Sequence, residues 1–156
     1  MARVYLETSF FSACVSDRKD TASVYRREQS QQWWTNQRER HQLFISPEVL
    51  TELSNPAYSH RDLAMEMTAG VEVLPLSAEV RGLAKILAGE KVMPGPAGSG
   101  DAVHVAAAIV HRVEYLLSWN VRHLANMNKL EHLRVICQRL GYMPPVITTP
   151  EVAWGA

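Results

Sequence analysis

The stretch RVYLETSF, residues 3–10, places a carboxylate directly after an apolar run. Its apolar part, VYL, is typical of a short strand buried on both faces, and the strand is predicted over residues 4–7. Glu7 therefore stands at the end of that strand, and the hydroxyl residues Thr8 and Ser9 follow it. Because a charge at the end of a buried strand is stable only with a partner, Glu7 is the first candidate for a functional residue.

Further apolar runs of strand length are followed by longer patterns typical of helices. The other strands are predicted over residues 43–46, 71–76, 115–119 and 146–148. The helices are predicted over residues 8–15 and 21–41, from Pro47 with Ser46 as its cap, and over 59–68, 78–88, 101–111, 120–126 and 129–140. This alternation predicts an α/β fold, a three-layer sandwich with a central parallel sheet of four to five strands, in one domain over residues 1–156.

Composition excludes several classes of protein. Among 156 residues, 16 Lys plus Arg balance 16 Asp plus Glu, which argues against a uniformly basic coat for nucleic acid. Cys14 and Cys137 lie far apart and predict core positions rather than a disulfide or a zinc site. Arg3 and Glu7 interrupt any apolar leader, and no apolar run approaches the about 20 residues that cross a bilayer. We therefore expect a cytoplasmic protein with no membrane contact.

Polar side chains gather at one predicted edge of the sheet. Glu7 ends the first strand, Glu52 lies on the helix after the second, and Asp101 opens a buried helix after a loop rich in glycine and proline. Ser118 and Asn120 close the fourth strand. Parallel sheets bind ligands at the carboxyl ends of their strands, and clustered carboxylates need cations or retained protons. Hard oxygen ligands without clustered cysteine or histidine select Mg²⁺ or Mn²⁺.

Four segments, in this order, resemble the PIN-domain ribonucleases and most of all the VapC-like toxins of toxin–antitoxin pairs. They are VYLETSF, SPEVLTEL, GDAVHVAAA and LLSWNVRHLAN. The resemblance implies a metal-dependent endoribonuclease that uses Mg²⁺ or Mn²⁺ to activate water against an RNA phosphodiester. It also implies a cognate antitoxin and a homodimer or higher oligomer as partners.

The resemblance also assigns the site residues. The family's acidic positions and their supporting hydroxyls fall on Glu7 with the Thr8–Ser9 pair, on Glu52, on Asp101, and on Asn120 with Ser118. Two of these depart from the family pattern. Glu7 is one methylene longer than the usual aspartate, and Asn120 offers a neutral carbonyl where the family usually has a carboxylate. We therefore expect one firmly held cation and a weaker second one.

Each of these residues also has a simpler structural interpretation. Glu7 and Asp101 suit helix N-termini, where the helix dipole favours an acid. Glu52 suits a solvated helix face, and Asn120 suits a helix cap. Glu48 lies one turn before Glu52 and is an alternative ligand, although a first-turn acid needs no metal to explain it. The assignment as ligands rests on the four positions taken together.

Supporting residues and an alternative function complete the expectations. His104 lies one turn after Asp101 and is predicted as a core residue or as support behind the ligands, while His123 is a candidate for either a phosphate contact or a plain surface position. Trp33 and Trp34 are interpreted as a protein interface in preference to an RNA contact. The alternative function is a catalytically weak PIN fold that binds RNA or protein. A classical nucleotide-binding protein is disfavoured, since no GxGxxG or GxxxxGK[ST] follows the first strand.

Overall fold

The computed structural model describes residues 1–124 and 126–153 and contains a five-stranded sheet. Its strands are β1 (Arg3–Leu6), β2 (Gln42–Ile45), β3 (Glu72–Val73), β4 (Tyr115–Leu117) and β5 (Val146–Thr148). They lie in the order β3-β2-β1-β4-β5, and every pairing is parallel. The predicted α/β fold with a central parallel sheet is therefore confirmed.

Helices flank this sheet, as the alternating sequence pattern predicts. They are α1 (Thr8–Val15), α2 (Thr21–Gln37), α3 (Pro47–Leu53), α4 (Arg61–Thr68), α5 (Ala78–Gly89), α6 (Asp101–Val110) and α7 (Met127–Leu140), with a 3₁₀ turn at Arg38–Arg40. The side chains of Asp20, Ser46 and Ser77 accept hydrogen bonds from the first backbone N–H groups of α2, α3 and α5. These caps explain why three of the helices begin where they do.

The middle of the sheet is the centre of the core. Val4, Tyr5 and Leu6 of β1 are 1%, 0% and 0% exposed, as expected for a strand covered on both faces. Helix α6 is buried from Ala102 to Ile109. The site predicted at the carboxyl ends of β1 and β4 is thus built on the most buried strand and the most buried helix.

The helix bounds differ from the prediction by one or two residues at several ends, and two predicted helices differ by more. The helix predicted over 21–41 ends at Gln37 and continues as the 3₁₀ turn. The helix predicted over 120–126 is wrong, because residues 121–124 form turns and Ala125 lies outside the described residues. Asn126 instead caps α7 by accepting hydrogen bonds from the next turn's N–H groups, which starts that helix at Met127. Strand β3 is also shorter than predicted and has only two residues.

The expected interface at Trp33 is wrong, since this side chain belongs to the protein's own core. Trp33 is 0% exposed, and its indole N–H donates to the carbonyl of Ala153 at 3.1 Å. Its ring packs edge-on against Phe10 and stacks on His41. Trp34 is partly buried against the same core. Although helix α2 is mostly polar, Trp33 is thus buried, and its indole N–H is satisfied by a backbone carbonyl.

Two further findings concern the cysteines and the helices. Cys14 and Cys137 are free and buried, as predicted for core positions. Burial raises the pKa of the Cys14 thiol to about 12, so this thiol stays protonated near neutral pH. Among the described residues, no helix combines the length and the apolar composition needed to cross a membrane.

Candidate active site

Glu7 continues the line of β1 and caps α1 at the same time. Its backbone N–H donates to the carbonyl of Leu117 at 3.1 Å, which extends the β1–β4 pairing by one residue. Its Oε2 accepts from the backbone N–H of Ser9 at 2.9 Å, from the Ser9 hydroxyl at 2.5 Å and from the Ser118 hydroxyl at 2.9 Å. No described residue donates to Oε1. The cap predicted as an alternative is therefore real, but it uses one oxygen and leaves the other open.

The two serine hydroxyls that hold Glu7 are themselves held by the backbone. The N–H of Trp119 donates to Ser9 Oγ at 2.8 Å, and the N–H of Asn120 donates to Ser118 Oγ at 2.9 Å. Because backbone groups after β4 fix both hydroxyls, the orientation of the Glu7 carboxylate is set by the end of the sheet.

Glu52 repeats this arrangement on α3. Its Oε1 accepts from the hydroxyl of Thr8 at 2.5 Å and contacts Nε2 of His104 at 2.5 Å, while no described residue donates to Oε2. Burial raises the pKa of this carboxyl, but the hydrogen bond and charge of His104 and the bond from Thr8 outweigh burial, so the pKa is lowered overall. Glu52 is therefore held in its ionised form with one oxygen available.

His104 lies behind Glu52 and is 0% exposed. Its Nδ1 is 2.7 Å from the hydroxyl of Tyr5, which in turn is 2.8 Å from Ser46 Oγ. Burial lowers the pKa of the imidazole, but the hydrogen bond to Glu52 and the charges of nearby glutamates raise it overall. Sequence reasoning anticipated a supporting histidine but not its partners Tyr5 and Ser46, because nothing in the sequence pattern brings these three residues together.

Ligand atoms of Glu7, Glu52 and His104 lie within 4.8 Å of one another. Both ring nitrogens of His104 already contact side chains, whereas each glutamate has one open oxygen. The open oxygens are hard donors and fit Mg²⁺ or Mn²⁺ better than a softer metal. Among these three residues, the carboxylates are thus the suitable ligands.

Asp101 approaches this centre from α6. It follows Gly100, whose φ of 72° lies in the left-handed region that suits glycine and brings the loop into the helix. Asn120 donates through Nδ2 to its two carboxylate oxygens at 3.3 and 3.4 Å, and His123 Nδ1 lies 3.9 Å from Oδ2. Burial and the charge of Glu7 raise the pKa of Asp101. Asp101 does not belong to the cluster around His104 and is held by longer contacts.

A cavity of about 620 Å³ joins these residues. It is lined by predicted site residues together with cationic and aromatic side chains, namely Glu7, Thr8, Ser9, Glu52, Asp101 and Asn120 with Arg18, Arg26, Tyr58 and Trp119. The guanidinium of Arg26 lies 5.7 Å from the centre of the Trp119 ring. Sequence reasoning missed Tyr58 and Trp119 on this wall, since aromatics next to polar residues also suit ordinary packing.

Glu48, the alternative ligand, does not line this cavity. It is 8% exposed, and burial together with the charge of Glu52 raises its pKa. A second cavity of about 840 Å³ lies between α2 and α4 and is lined by Trp34, Leu63 and Met67 among others, but by none of the predicted ligands. Of these two cavities, only the smaller one is lined by predicted ligands.

Comparison with known proteins supports the fold assignment. No protein-family model and no curated protein sequence matches the chain. Solved structures do: VapBC2 from Rickettsia felis, bound to a DNA fragment from its promoter, is 15% identical with a TM-score of 0.56, and 93% of this chain and 96% of that one are covered.

Two more structures resemble the chain. VapC20 from Mycobacterium tuberculosis, described as a toxin that cleaves the sarcin–ricin loop, is 16% identical with a TM-score of 0.55, covering 75% of this chain and 89% of that one. FitAcB from Neisseria gonorrhoeae is 11% identical with a TM-score of 0.56, and 98% of this chain and 99% of that one are covered. The chain therefore has the PIN-like α/β fold of VapC-type structures.

Proposed function

We propose that this protein is a metal-dependent endoribonuclease of the PIN type and the toxin of a toxin–antitoxin pair. One observation carries the proposal. Glu7 and Glu52 each bind the protein through one carboxylate oxygen, no described residue donates to the other, and both residues line a cavity that Asp101 also lines. Two acids that only stabilised helices would have no need to share a cavity wall with a third carboxylate.

In the proposed mechanism, Glu7, Glu52 and Asp101 would hold Mg²⁺ or Mn²⁺. A divalent cation would supply an activated water and neutralise charge on the phosphoryl oxygens. In the hydrolysis, a bond from a water oxygen to phosphorus would form, the bond from phosphorus to the 3′ oxygen would break, and a proton from the water would pass to the 3′ oxygen, which gives a 3′-hydroxyl and a 5′-phosphate. Ser9 and Ser118 orient Glu7, Thr8 and His104 orient Glu52, and Asn120 donates to Asp101. We propose that His123, half exposed beside Asp101, contacts a phosphate.

The proposed partners are an RNA substrate, a cognate antitoxin protein and a second copy of the chain. Support comes from the similar structures, since VapBC2 is bound to DNA from its promoter and VapC20 is described as cleaving the sarcin–ricin loop. Arg26 lies on the cavity wall with Arg18, which pairs with Asp20 at 3.4 Å, and these cationic groups suit a polyanion. We propose a cytoplasmic location, where such a substrate is found.

A second candidate is a catalytically weak binding module. Asn120 favours it, because this residue donates to Asp101 where a carboxylate would add charge for a cation. The two functions differ in what a metal does: the nuclease requires it for turnover, whereas the module binds its partner without it.

A cleavage assay tests the proposal. Wild type, Asp101→Asn and the control Asp62→Asn, which removes an exposed carboxylate on α4, are incubated with structured and single-stranded RNA in Mn²⁺, Mg²⁺ or EDTA. We expect wild type and Asp62→Asn to cleave with metal, and EDTA or Asp101→Asn to abolish cleavage. Unchanged cleavage by Asp101→Asn would contradict the site. No cleavage by wild type in either metal, with RNA still bound, would favour the binding module.

A further inference from the structure

We propose that Ser46, Tyr5 and His104 form a buried hydrogen-bond chain that positions Glu52, turning its open oxygen toward the cavity and joining the two helices that carry Glu52 and Asp101. The proposal rests on the proposed function for its purpose. Its geometry stands independently of that function, because each contact in the chain is between residues of this protein.

The direction of the bond to Glu52 follows from donor chemistry. An ionised carboxylate only accepts, so Nε2 of His104 carries the hydrogen in the 2.5 Å contact with Oε1. This holds whether the ring is neutral or cationic. Thr8 donates to the same oxygen at 2.5 Å, so two donors on different elements bind Oε1. The carboxylate therefore cannot rotate without losing both bonds.

The other side of the ring is equally constrained. Nδ1 lies 2.7 Å from the Tyr5 hydroxyl, and that hydroxyl lies 2.8 Å from Ser46 Oγ, which accepts from the backbone N–H of Glu48 at 3.3 Å. With a neutral ring, Ser46 donates to Tyr5 and Tyr5 donates to Nδ1; with a cationic ring, Nδ1 donates to Tyr5 and Tyr5 donates to Ser46. In either state each contact along the chain joins one donor to one acceptor.

Burial makes this chain rigid. Ser46, Tyr5 and His104 are each 0% exposed, and the rings of Tyr5 and His104 meet edge-on with centroids 5.8 Å apart. Buried polar groups that lose a partner have no water to replace it, so each member keeps the next in place.

The chain also connects the elements of the site. Ser46 caps the start of α3 and Glu52 lies near its end, so contacts at both ends fix this seven-residue helix. His104 and Asp101 lie one turn apart on α6. Through His104, the helix that carries Asp101 is therefore joined to the carboxylate of Glu52, and the ring acts as a positioning residue rather than as a ligand.

Two amide substitutions separate the two sides of the ring. The amide nitrogen of Gln reaches about as far as Nε2, and that of Asn about as far as Nδ1. His104→Gln can keep the donor to Glu52, whereas His104→Asn can keep only the contact with Tyr5. We expect His104→Asn to weaken Mn²⁺ binding by about 10–100-fold in calorimetry, which is the range typical when a hydrogen-bond partner of a metal ligand is removed. We expect His104→Gln to retain most of the affinity. Equal loss in both variants, or none in His104→Asn, would overturn the proposal.

A tyrosine pair supplies a matched control. Tyr5→Phe removes the middle hydroxyl of the chain, whereas Tyr115→Phe removes a hydroxyl on neighbouring β4 that bonds to no described residue. We expect weaker Mn²⁺ binding in Tyr5→Phe alone, with both variants folded by circular dichroism. Equal affinities in the two variants would contradict the chain.

A readout without metal distinguishes the two proposals. In the metal-free protein, NMR should show a His104 ring N–H that exchanges slowly and shifts in Glu52→Gln. If wild type shows this signal but binds no Mn²⁺, the chain exists and the proposed function fails. If Mn²⁺ binds but the signal is absent, the positioning proposal fails and the function stands.

Discussion

The acidic centre has two unlike halves, one at the ends of β1 and α3 and one at the start of α6. In the first half, Glu7 and Glu52 each accept hydrogen bonds of 2.5–2.9 Å on a single oxygen. In the second half, Asp101 is held by Asn120 at 3.3 and 3.4 Å, and His123 is 3.9 Å away. The first half is fixed by the protein, and the second is held by contacts near the limit of a hydrogen bond.

This difference suggests how the halves divide their roles. Ligands fixed in advance lose little freedom when a cation binds, so Glu7 and Glu52 should set most of the affinity. Asp101 lies beside a neutral amide and a half-exposed histidine, so it can move toward an incoming cation with little loss. We therefore expect that removing a hydrogen bond to Glu7 or Glu52 has a larger effect on the site than a change in the protonation of Asp101.

Of the two tests of this comparison, the larger effect should come from Ser118→Ala, in the fixed half. This change removes the donor at 2.9 Å from Oε2 of Glu7 and leaves the carboxylate with Ser9 alone. We expect Mn²⁺ affinity to fall by about 10–100-fold with little change in fold. Calorimetry against Ser54→Ala, whose exposed hydroxyl donates within α3, provides the comparison. Equal affinities in the two variants would show that Glu7 is not oriented in advance.

A smaller effect should appear in the pH dependence of Asp101. Burial and the charge of Glu7 raise its pKa in the folded state above the ordinary value of 3.8, so its contribution to stability is lost as pH rises through that raised pKa. In metal-free protein, Asp101→Asn should therefore gain stability over wild type as pH rises from below 3.8, with a plateau above the raised pKa.

The melting temperatures of both proteins are measured across pH in EDTA. The gain in melting temperature of Asp101→Asn over wild type should be a few degrees at most. Asp62→Asn, which changes an exposed carboxylate, should follow the wild-type profile. If Asp101→Asn and wild type differ by the same amount at every pH, then Asp101 does not titrate as this electrostatic account requires.

Much of the candidate site could be predicted from the sequence, because strand patterns and helix-cap preferences determine where its residues lie. Glu7 follows a buried strand, and helix α1 occupies the predicted residues 8–15. Ser46 and Pro47 begin α3 as their cap and first-turn preferences dictate. The parallel sheet then brings the strand ends to one edge, which is why the residues named from four separate segments line one cavity.

The rest depends on contacts between distant parts of the chain. Tyr5 and His104 are 99 residues apart, and no periodicity indicates that they meet behind Glu52. Trp33 was expected at an interface, but its N–H reaches the carbonyl of Ala153 near the far end of the chain. Residues 120–126 have helical composition, yet the cap at Asn126 starts the helix later. Tertiary hydrogen bonds decide the positions of His104 and Trp33, whereas a local cap decides where the last helix begins.

Calorimetric titration of Mn²⁺ into metal-stripped protein tests most directly whether Glu7 is a metal ligand. Wild type is compared with Glu7→Gln and with Glu28→Gln, which makes the same chemical change at an exposed position on α2. We expect wild type and Glu28→Gln to bind alike, whereas Glu7→Gln loses at least about tenfold in affinity, because an amide oxygen replaces a charged ligand at the centre of the site. Binding by Glu7→Gln as tight as by Glu28→Gln would contradict the claim that the end of β1 holds the metal.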